Sequence, residues 1–265
     1  MNKFIYSEEE LRKFYDNVLP PLTNTEVYFV SLSARNKLLS EEEKLEYSLG
    51  RTEMFERKTI REKDWNKFYR SILKYETNEG AYTGRNGKPL PKKCTILYIN
   101  INPSDMVKAY QEFDTRVREN IYNMISNKGS NLSYFKKIDR ELMNAIQRNK
   151  GTKHYIDIDF DLPDKVDGAY HPLLYNFIVC LQERNQKFFV VETRGGFHVL
   201  LSRETLNFNF NKDIEYINEV AKSHYRNGEK FEICRNVNDM IPLPGTLQGV
   251  YPVKVHYDWS NYDIK

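Results

Sequence analysis

The sequence predicts an α+β fold. A β-α-β-β-α-β unit spans about residues 153–257, with an N-terminal α/β extension packed against it. Three observations predict this. Lys153 to Asp161 alternates apolar and polar residues with the period of a strand. Two helical stripes, Leu174-Phe177-Ile178-Leu181 and Ile214-Ile217-Val220-Ala221, flank two apolar runs joined at Gly195-Gly196. A last short run, Phe231 to Cys234, supplies a fourth strand.

Composition sets the limits within which these elements must work. A chain of 265 residues, 40% hydrophobic and 29% charged, is globular rather than disordered and long enough for one large domain or two small ones. Its net charge of +3 is too mild to argue nucleic-acid binding, so any basic surface must come from local clustering. Cys94, Cys180 and Cys234 lack C-x-x-C or His spacing, which excludes a disulfide framework and gives no zinc site; a reducing, cytoplasmic setting fits. The first residues contain no sustained apolar run, and no window has the length of a membrane span, so neither a signal peptide nor a membrane anchor is expected.

In chain order, Ser7-Glu8-Glu9-Glu10 opens a capped helix with Leu11, Phe14, Tyr15 and Val18 on one stripe, stopped by Pro20-Pro21. Val27 to Leu32 reads as a strand, and Ser40-Glu41-Glu42-Glu43 caps a second helix ending near Gly50. From Arg51 to Leu73 the spacing of Trp65, Phe68, Tyr69, Ile72 and Leu73 predicts an amphipathic helix whose outer side carries Arg51, Arg57, Lys58, Arg61, Lys63, Lys67 and Arg70. That side fits either a solvated face or a template contact. Gly84 to Lys93 forms a basic loop containing Arg85 and Lys88. Cys94 to Ile101 is a strand, Asn102-Pro103-Ser104 starts a long helix, Asn127 to Asn131 breaks it, and a further helix runs from Ser133 to about Gly151. Residues 1–92 thus form a mainly helical α/β region, and residues 93–265 a second region holding the β-α-β-β-α-β core.

That element order is the RRM-like or ferredoxin-like arrangement, with strand order 4-1-3-2 and both helices on one face. Alternation then sends Ile156, Ile158 and Phe160 toward the helices, and Asp157, Asp159 and Asp161 toward an open face. On neighbouring strands His198 and Glu232 have the same outward phase. Carboxylates at i and i+2 stand about 7 Å apart along a strand, near enough to share divalent cations. A solvated edge strand has the same pattern taken alone; coincident phase on three neighbouring strands favours the cation site. In Thr193-Arg194-Gly195-Gly196-Phe197-His198, two glycines let backbone N–H groups approach a phosphate, beside a guanidinium, a hydroxyl and an imidazole.

These residues resemble the motifs of the archaeo-eukaryotic primase superfamily, the primase-polymerases, over roughly residues 94–257. Ile156-Asp157-Ile158-Asp159 corresponds to its hDhD motif, and Thr193 to His198 to its glycine-histidine motif. Pro244-Gly245-Thr246-Leu247-Gln248-Gly249 is similar to a Pro-Gly-Ser/Thr-Leu-His-Gly segment of archaeal catalytic subunits, with Gln248 where His is usual and Pro242-Leu243 where a basic residue is usual. The resemblance implies a DNA primase or primase-polymerase, a template-directed nucleotidyltransferase that extends a 3′-hydroxyl by a two-metal mechanism. Asp157, Asp159 and Glu232 would be its catalytic metal ligands for two Mg2+ or Mn2+ ions, with Asp239 as the alternative third ligand and no zinc. Thr193, Arg194, Gly195, Gly196, His198 and Lys254 would bind the nucleotide; Arg57, Lys58, Arg61, Arg85 and Lys88 would meet the template. Implied partners are single-stranded DNA, NTPs or dNTPs, and a helicase or other replication protein, at a nucleoid or viral replication site and away from membranes. The rival readings are a non-catalytic RRM-like nucleic-acid-binding module and a palm-type nucleotide cyclase. A rolling-circle endonuclease is excluded, because no His-hydrophobic-His pair occurs.

Overall fold

The computed structural model describes residues 3–61, 64–78, 80–126, 132–163, 165, 171–206, 210–225 and 231–256; Lys63 and the expected helix break at 127–131 lie outside them. The N-terminal stretch begins with α1 (Glu8–Asn17), where the Ser7 hydroxyl accepts from the Glu10 amide at 3.1 Å and Leu11 and Phe14 turn into the core. β1 (Glu26–Arg35) follows, then α2 (Glu41–Tyr47), closed by a reciprocal capping box between Ser40 and Glu43.

The next stretch corrects the sequence reading. Arg51 to Leu73 is not one helix but β2 (Thr52–Ile60) followed by α3 (Trp65–Leu73). β2 pairs antiparallel with β1 from Tyr28 opposite Ile60 to Arg35 opposite Thr52, so Arg57 and Lys58 sit on an edge strand. The helical spacing was real only from Trp65 onward; before it, tertiary pairing overrides the local pattern.

β3 (Thr95–Asn100) and β4 (Ser104–Asp105) lead into α4 (Met106–Ile125), capped by Asp105 through the Val107 and Lys108 amides, one residue later than expected. α5 (Leu132–Phe135) and α6 (Ile138–Arg148) follow. Then come β5 (Tyr155–Asp161), α7 (Pro172–Glu183), β6 (Phe188–Thr193), β7 (Gly196–Ser202), α8 (Phe210–His224) and β8 (Glu232–Arg235). Four short strands end the described chain: β9 (Met240–Pro242), β10 (Leu247–Gln248), β11 (Tyr251–Pro252) and β12 (Lys254–His256).

Among the described residues these elements make an α+β fold with two five-stranded antiparallel sheets, β2-β1-β3-β9 with β4 also on β1 as the first and β12-β6-β7-β5-β8 as the second, and a two-stranded β10-β11 ribbon. The first sheet takes β9 from the far end of the chain, so the division placed at residue 92/93 runs through one sheet rather than between two. The second sheet has both long helices on one face: Ile158, Phe160, Val199, Leu201 and Ile233 pack with Leu174, Phe177 and Ala221. Its other face is not open throughout. Leu200 and Val191, which share the phase of Asp157 and His198, join a core with α1, α3, β1 and β3, together with Val253 and Val255. Tyr155 belongs to this covered part; its hydroxyl donates to the Val18 carbonyl at 2.8 Å. Among the described residues, the strip along β5 and β8 that bears Asp159, Asp161 and Glu232 stays uncovered and faces a cleft toward the first sheet. Among the described residues, no helix is long and apolar enough to cross a membrane.

Candidate active site

The acids of β5 are arranged by register. Asp157 lies opposite Leu200, Asp159 opposite His198 and Cys234, and Asp161 opposite Gly196 and Glu232. Directly opposed residues share a face, so the cleft face runs from a buried floor at Asp157 to a mouth at Asp161 and Glu232. Asp157 is wholly buried, whereas the Asp159 and Asp161 side chains keep 36% and 46% of their surface exposed. A bare carboxylate on that floor would be expensive. It is compensated: His198 Nδ1 stands 3.0 and 3.2 Å from its two oxygens, and Asn236 Nδ2 donates to Oδ2 at 2.7 Å. The Asn236 amide also donates to the Asp157 carbonyl at 3.0 Å, tying the β8–β9 connection to the floor.

Charge follows from this packing. Burial alone would lower the His198 pKa, but the Asp157 and Asp159 carboxylates overturn that and raise it to about 9, so the imidazole is cationic at neutral pH. Asp159 is shifted upward, first by burial and then by Asp157 and Asp161, against the pull of His198. Burial, helped by Glu232, pushes the Cys234 thiol up to about 12; it stays protonated, with its sulfur 3.5 Å from Glu232 Oε1.

The hairpin motif folds as a two-residue turn, Arg194-Gly195, between paired Thr193 and Gly196. A Cβ on Gly196 would lie 1.6 Å from the Phe160 carbonyl oxygen, so this glycine is required by the close approach of β5. The Arg194 amide is already taken by Gln248 Oε1 at 2.8 Å, and the Thr193 hydroxyl donates to the Gly196 carbonyl at 3.2 Å. Arg194 does not line the cleft itself but an adjoining groove, with Lys165 and Phe231, that shares Asp161, Gly195 and Glu232 with it.

The cleft has a volume of about 440 Å³. Of the expected site residues, Asp159, Glu232, His198, Thr193 and Gly195 line it, joined by Asp161, which was not among them; Asp157, expected as a metal ligand, is buried beneath and is not part of the lining. The others lie elsewhere. Asp239 is buried at a left-handed turn (φ 55°), its carboxyl shifted upward by burial, and is outside the cleft. Lys254 is exposed on edge strand β12, away from the cleft lining. All five expected template contacts are engaged within the protein: Arg57 with Asn144 at 2.6 Å, Lys58 with Glu56 at 2.5 Å, Arg85 with Glu53 at 2.7 Å, Lys88 with Glu46 at 3.4 Å, and Arg61 with the Asn24 carbonyl. None lines the cleft. No known protein family, curated protein or solved structure gives a match to the chain.

Of the opposite wall, the sequence singles out Arg51 alone, and as part of a basic helix face rather than of a cleft. That wall is made by Ser31, Ser33 and Arg35 of β1, Tyr98 of β3, and Lys37 and Arg51 nearby. Ser31-Leu32-Ser33-Ala34-Arg35 alternates with strand period, and that signal continues past the strand end assigned at Leu32. Arg35 Nη1 donates to the Tyr98 hydroxyl at 3.1 Å, and Lys37 Nζ lies 3.7 Å from Asp161 Oδ2 across the mouth. The Tyr98 hydroxyl is shifted upward by burial, against Arg35 and with Asp159 and Asp161, so it stands between the two walls. Gln248, the departure from the family pattern, lines the cleft as well as holding the hairpin.

Among the described residues, no three His, Cys, Asp or Glu side chains are already disposed to hold a metal ion. The fit therefore rests on donor chemistry. Asp159, Asp161 and Glu232 offer partly exposed carboxylate oxygens on one face, the ligand type that suits Mg2+ and Mn2+ rather than softer metals.

Proposed function

We propose that the chain is a template-directed nucleotidyltransferase of the primase-polymerase type, whose β5–β8 unit is an RRM-like catalytic core. One observation carries the reading: Asp159, Asp161 and Glu232 stand side by side at the uncovered strip of β5 and β8, with Asp157 and His198 fixed behind them. Such a density of carboxylates at a cleft destabilises the protein unless cations share it. Two bound Mg2+ or Mn2+ ions would there activate a 3′-hydroxyl and neutralise a leaving pyrophosphate.

The chain's own contribution is positioning and charge. Asp157 is held in one orientation by Asn236 and His198, and in turn keeps the imidazolium aimed at the floor of the cleft. Asp159 and Glu232 would supply oxygen ligands to such ions, and Asp161, directly opposite Glu232, would add a third at the mouth. The Arg194-Gly195 turn is braced by Gln248, which sets the rim against which an incoming nucleotide rests. Single-stranded DNA is the proposed template, and a helicase or another replication protein the proposed partner. An RRM-like binding module would present aromatic and basic side chains on this sheet face; here the uncovered strip presents acids instead.

Primer extension on single-stranded DNA with Mn2+ or Mg2+, comparing wild type with Asp157→Ala, tests the assignment. Extension by wild type alone is expected. Equal extension by both proteins rejects it, and nucleotide consumption without template-dependent product would move the reading to a cyclase.

A further inference from the structure

Of the cationic side chains on the first sheet and its loops, most are consumed by neighbours, as Arg57, Lys58, Arg85 and Lys88 are, and as Lys93 is by Glu43 at 2.5 Å. Three that face the cleft are different. Among the described residues, Arg35 has one neutral side-chain partner, the Tyr98 hydroxyl, and its buried Nε has no hydrogen-bond partner. Leaving a buried guanidinium N–H unpaired is costly, and a protein retains such a donor where an acceptor arrives from outside. Lys37 sits 3.7 Å from Asp161, beyond a hydrogen bond, with both side chains nearly half exposed. Arg51 is exposed and makes no ion pair among the described residues, while its backbone carbonyl accepts the Asn36 amide at 3.3 Å and so holds it beside Arg35 and Lys37.

Two guanidiniums and an ammonium therefore face three carboxylates across a cleft of about 440 Å³. A simple cation finds ligands on the acid wall alone, and a simple anion on the basic wall alone. A chain of phosphates carrying its own divalent counter-ions satisfies both, because its oxygens suit the planar donors of arginine while its cations suit the carboxylates. The hairpin offers less to the cleft: Arg194 lines the adjoining groove, which meets the cleft at Asp161, Gly195 and Glu232, and its amide is occupied by Gln248.

We propose that Arg35, Lys37 and Arg51 form the phosphate-binding wall, taking the polyphosphate chain of a nucleoside triphosphate on the first sheet rather than on the glycine hairpin. Tyr98 is the positioning residue, holding the Arg35 guanidinium toward the cleft. The proposal rests on the nucleotidyltransferase reading for the identity of its ligand, and is tested without turnover.

The experiment is titration of a fluorescent nucleoside triphosphate into the full chain with Ca2+, followed by displacement with inorganic tripolyphosphate. Arg35→Gln and Arg51→Gln are each expected to weaken binding at least about tenfold, the effect of losing one charge-assisted contact. Tyr98→Phe should weaken it less, and Arg194→Gln by under about twofold. Arg51 is exposed, so its variant carries the test if Arg35→Gln fails to fold. Wild-type-like binding by both wall variants, or a larger loss in Arg194→Gln, overturns the proposal and leaves the nucleotidyltransferase reading standing. Binding that depends on the wall, in a protein that extends no primer, keeps the wall and removes the polymerase. No triphosphate binding by wild type rejects both.

Discussion

Two groups of carboxylates lie on the second sheet, and they are treated in opposite ways. Glu192, on β6, is buried at 1% exposure and its oxygens are fully engaged: Tyr251 Oη at 2.5 Å and Lys165 Nζ at 3.1 Å on Oε1, and His256 Nε2 at 2.8 Å on Oε2. Among the described residues, Asp159 and Asp161 have His198 at 3.8 Å and Lys37 at 3.7 Å as their cationic neighbours, both too long for hydrogen bonds. The first group is self-contained, so its value is structural. The second is short of positive charge on a surface open to solvent, which is the condition of a site that expects a cation. Burial by itself does not separate function from architecture; the completeness of the partner set does.

The comparison can be broken most forcibly at Glu192. Replacing it with Ala removes the carboxylate that the buried Lys165 ammonium contacts at 3.1 Å, and we expect a loss of about 3–5 kcal/mol in chemical denaturation, with Mn2+ affinity of the folded protein unchanged. At Asp159 the expected pattern is reversed. Asp159→Asn should cut primer extension by at least about a hundredfold, yet leave the metal-free protein as stable or slightly more so. The sign follows from its raised pKa: ionisation at neutral pH opposes folding, and the amide removes that opposition.

Smaller effects sharpen the same contrast. In Gly196→Ala the new methyl group meets the Phe160 carbonyl, which forces β5 and β7 apart at a cost of about 1–3 kcal/mol by thermal melting. His198 sets a pH window. Its folded pKa of about 9 exceeds the unfolded value of 6.5, so its stabilisation is fully present below pH 6.5 and lost as pH rises through 9. Melting temperature of the metal-free protein should fall across that window, and His198→Gln should flatten the fall. Arg85→Ala, which removes one surface ion pair, should change stability by less than about 1 kcal/mol.

Much of this was legible in the chain before its fold. Alternation in β5, the phase of His198 and Glu232, and the capped helices α1 and α2 follow from local periodicity and capping chemistry, and these dictate the acid wall. What escaped depends on long-range pairing. β9 is three residues long and becomes a strand because β3 is there to pair with it. β2 carries helix-compatible residues but extends along β1. Asn236 acquires its role only when the β8–β9 connection folds over Asp157. The basic wall was readable in part, since Ser33 and Arg35 continue the polar phase of Ser31, but which residues they oppose is set by the packing of one sheet against the other. The covered half of the acid-bearing face, with Leu200, Val191 and Tyr155, also needed that packing to be seen.

The most direct measurement is a Mn2+ titration of the full chain followed by electron paramagnetic resonance of the free ion. The account predicts saturable binding by wild type that is lost when Asp159 and Glu232 are changed to Asn and Gln, and retained when Asp239 is changed to Asn. Identical binding curves for wild type and the Asp159/Glu232 double variant would contradict it.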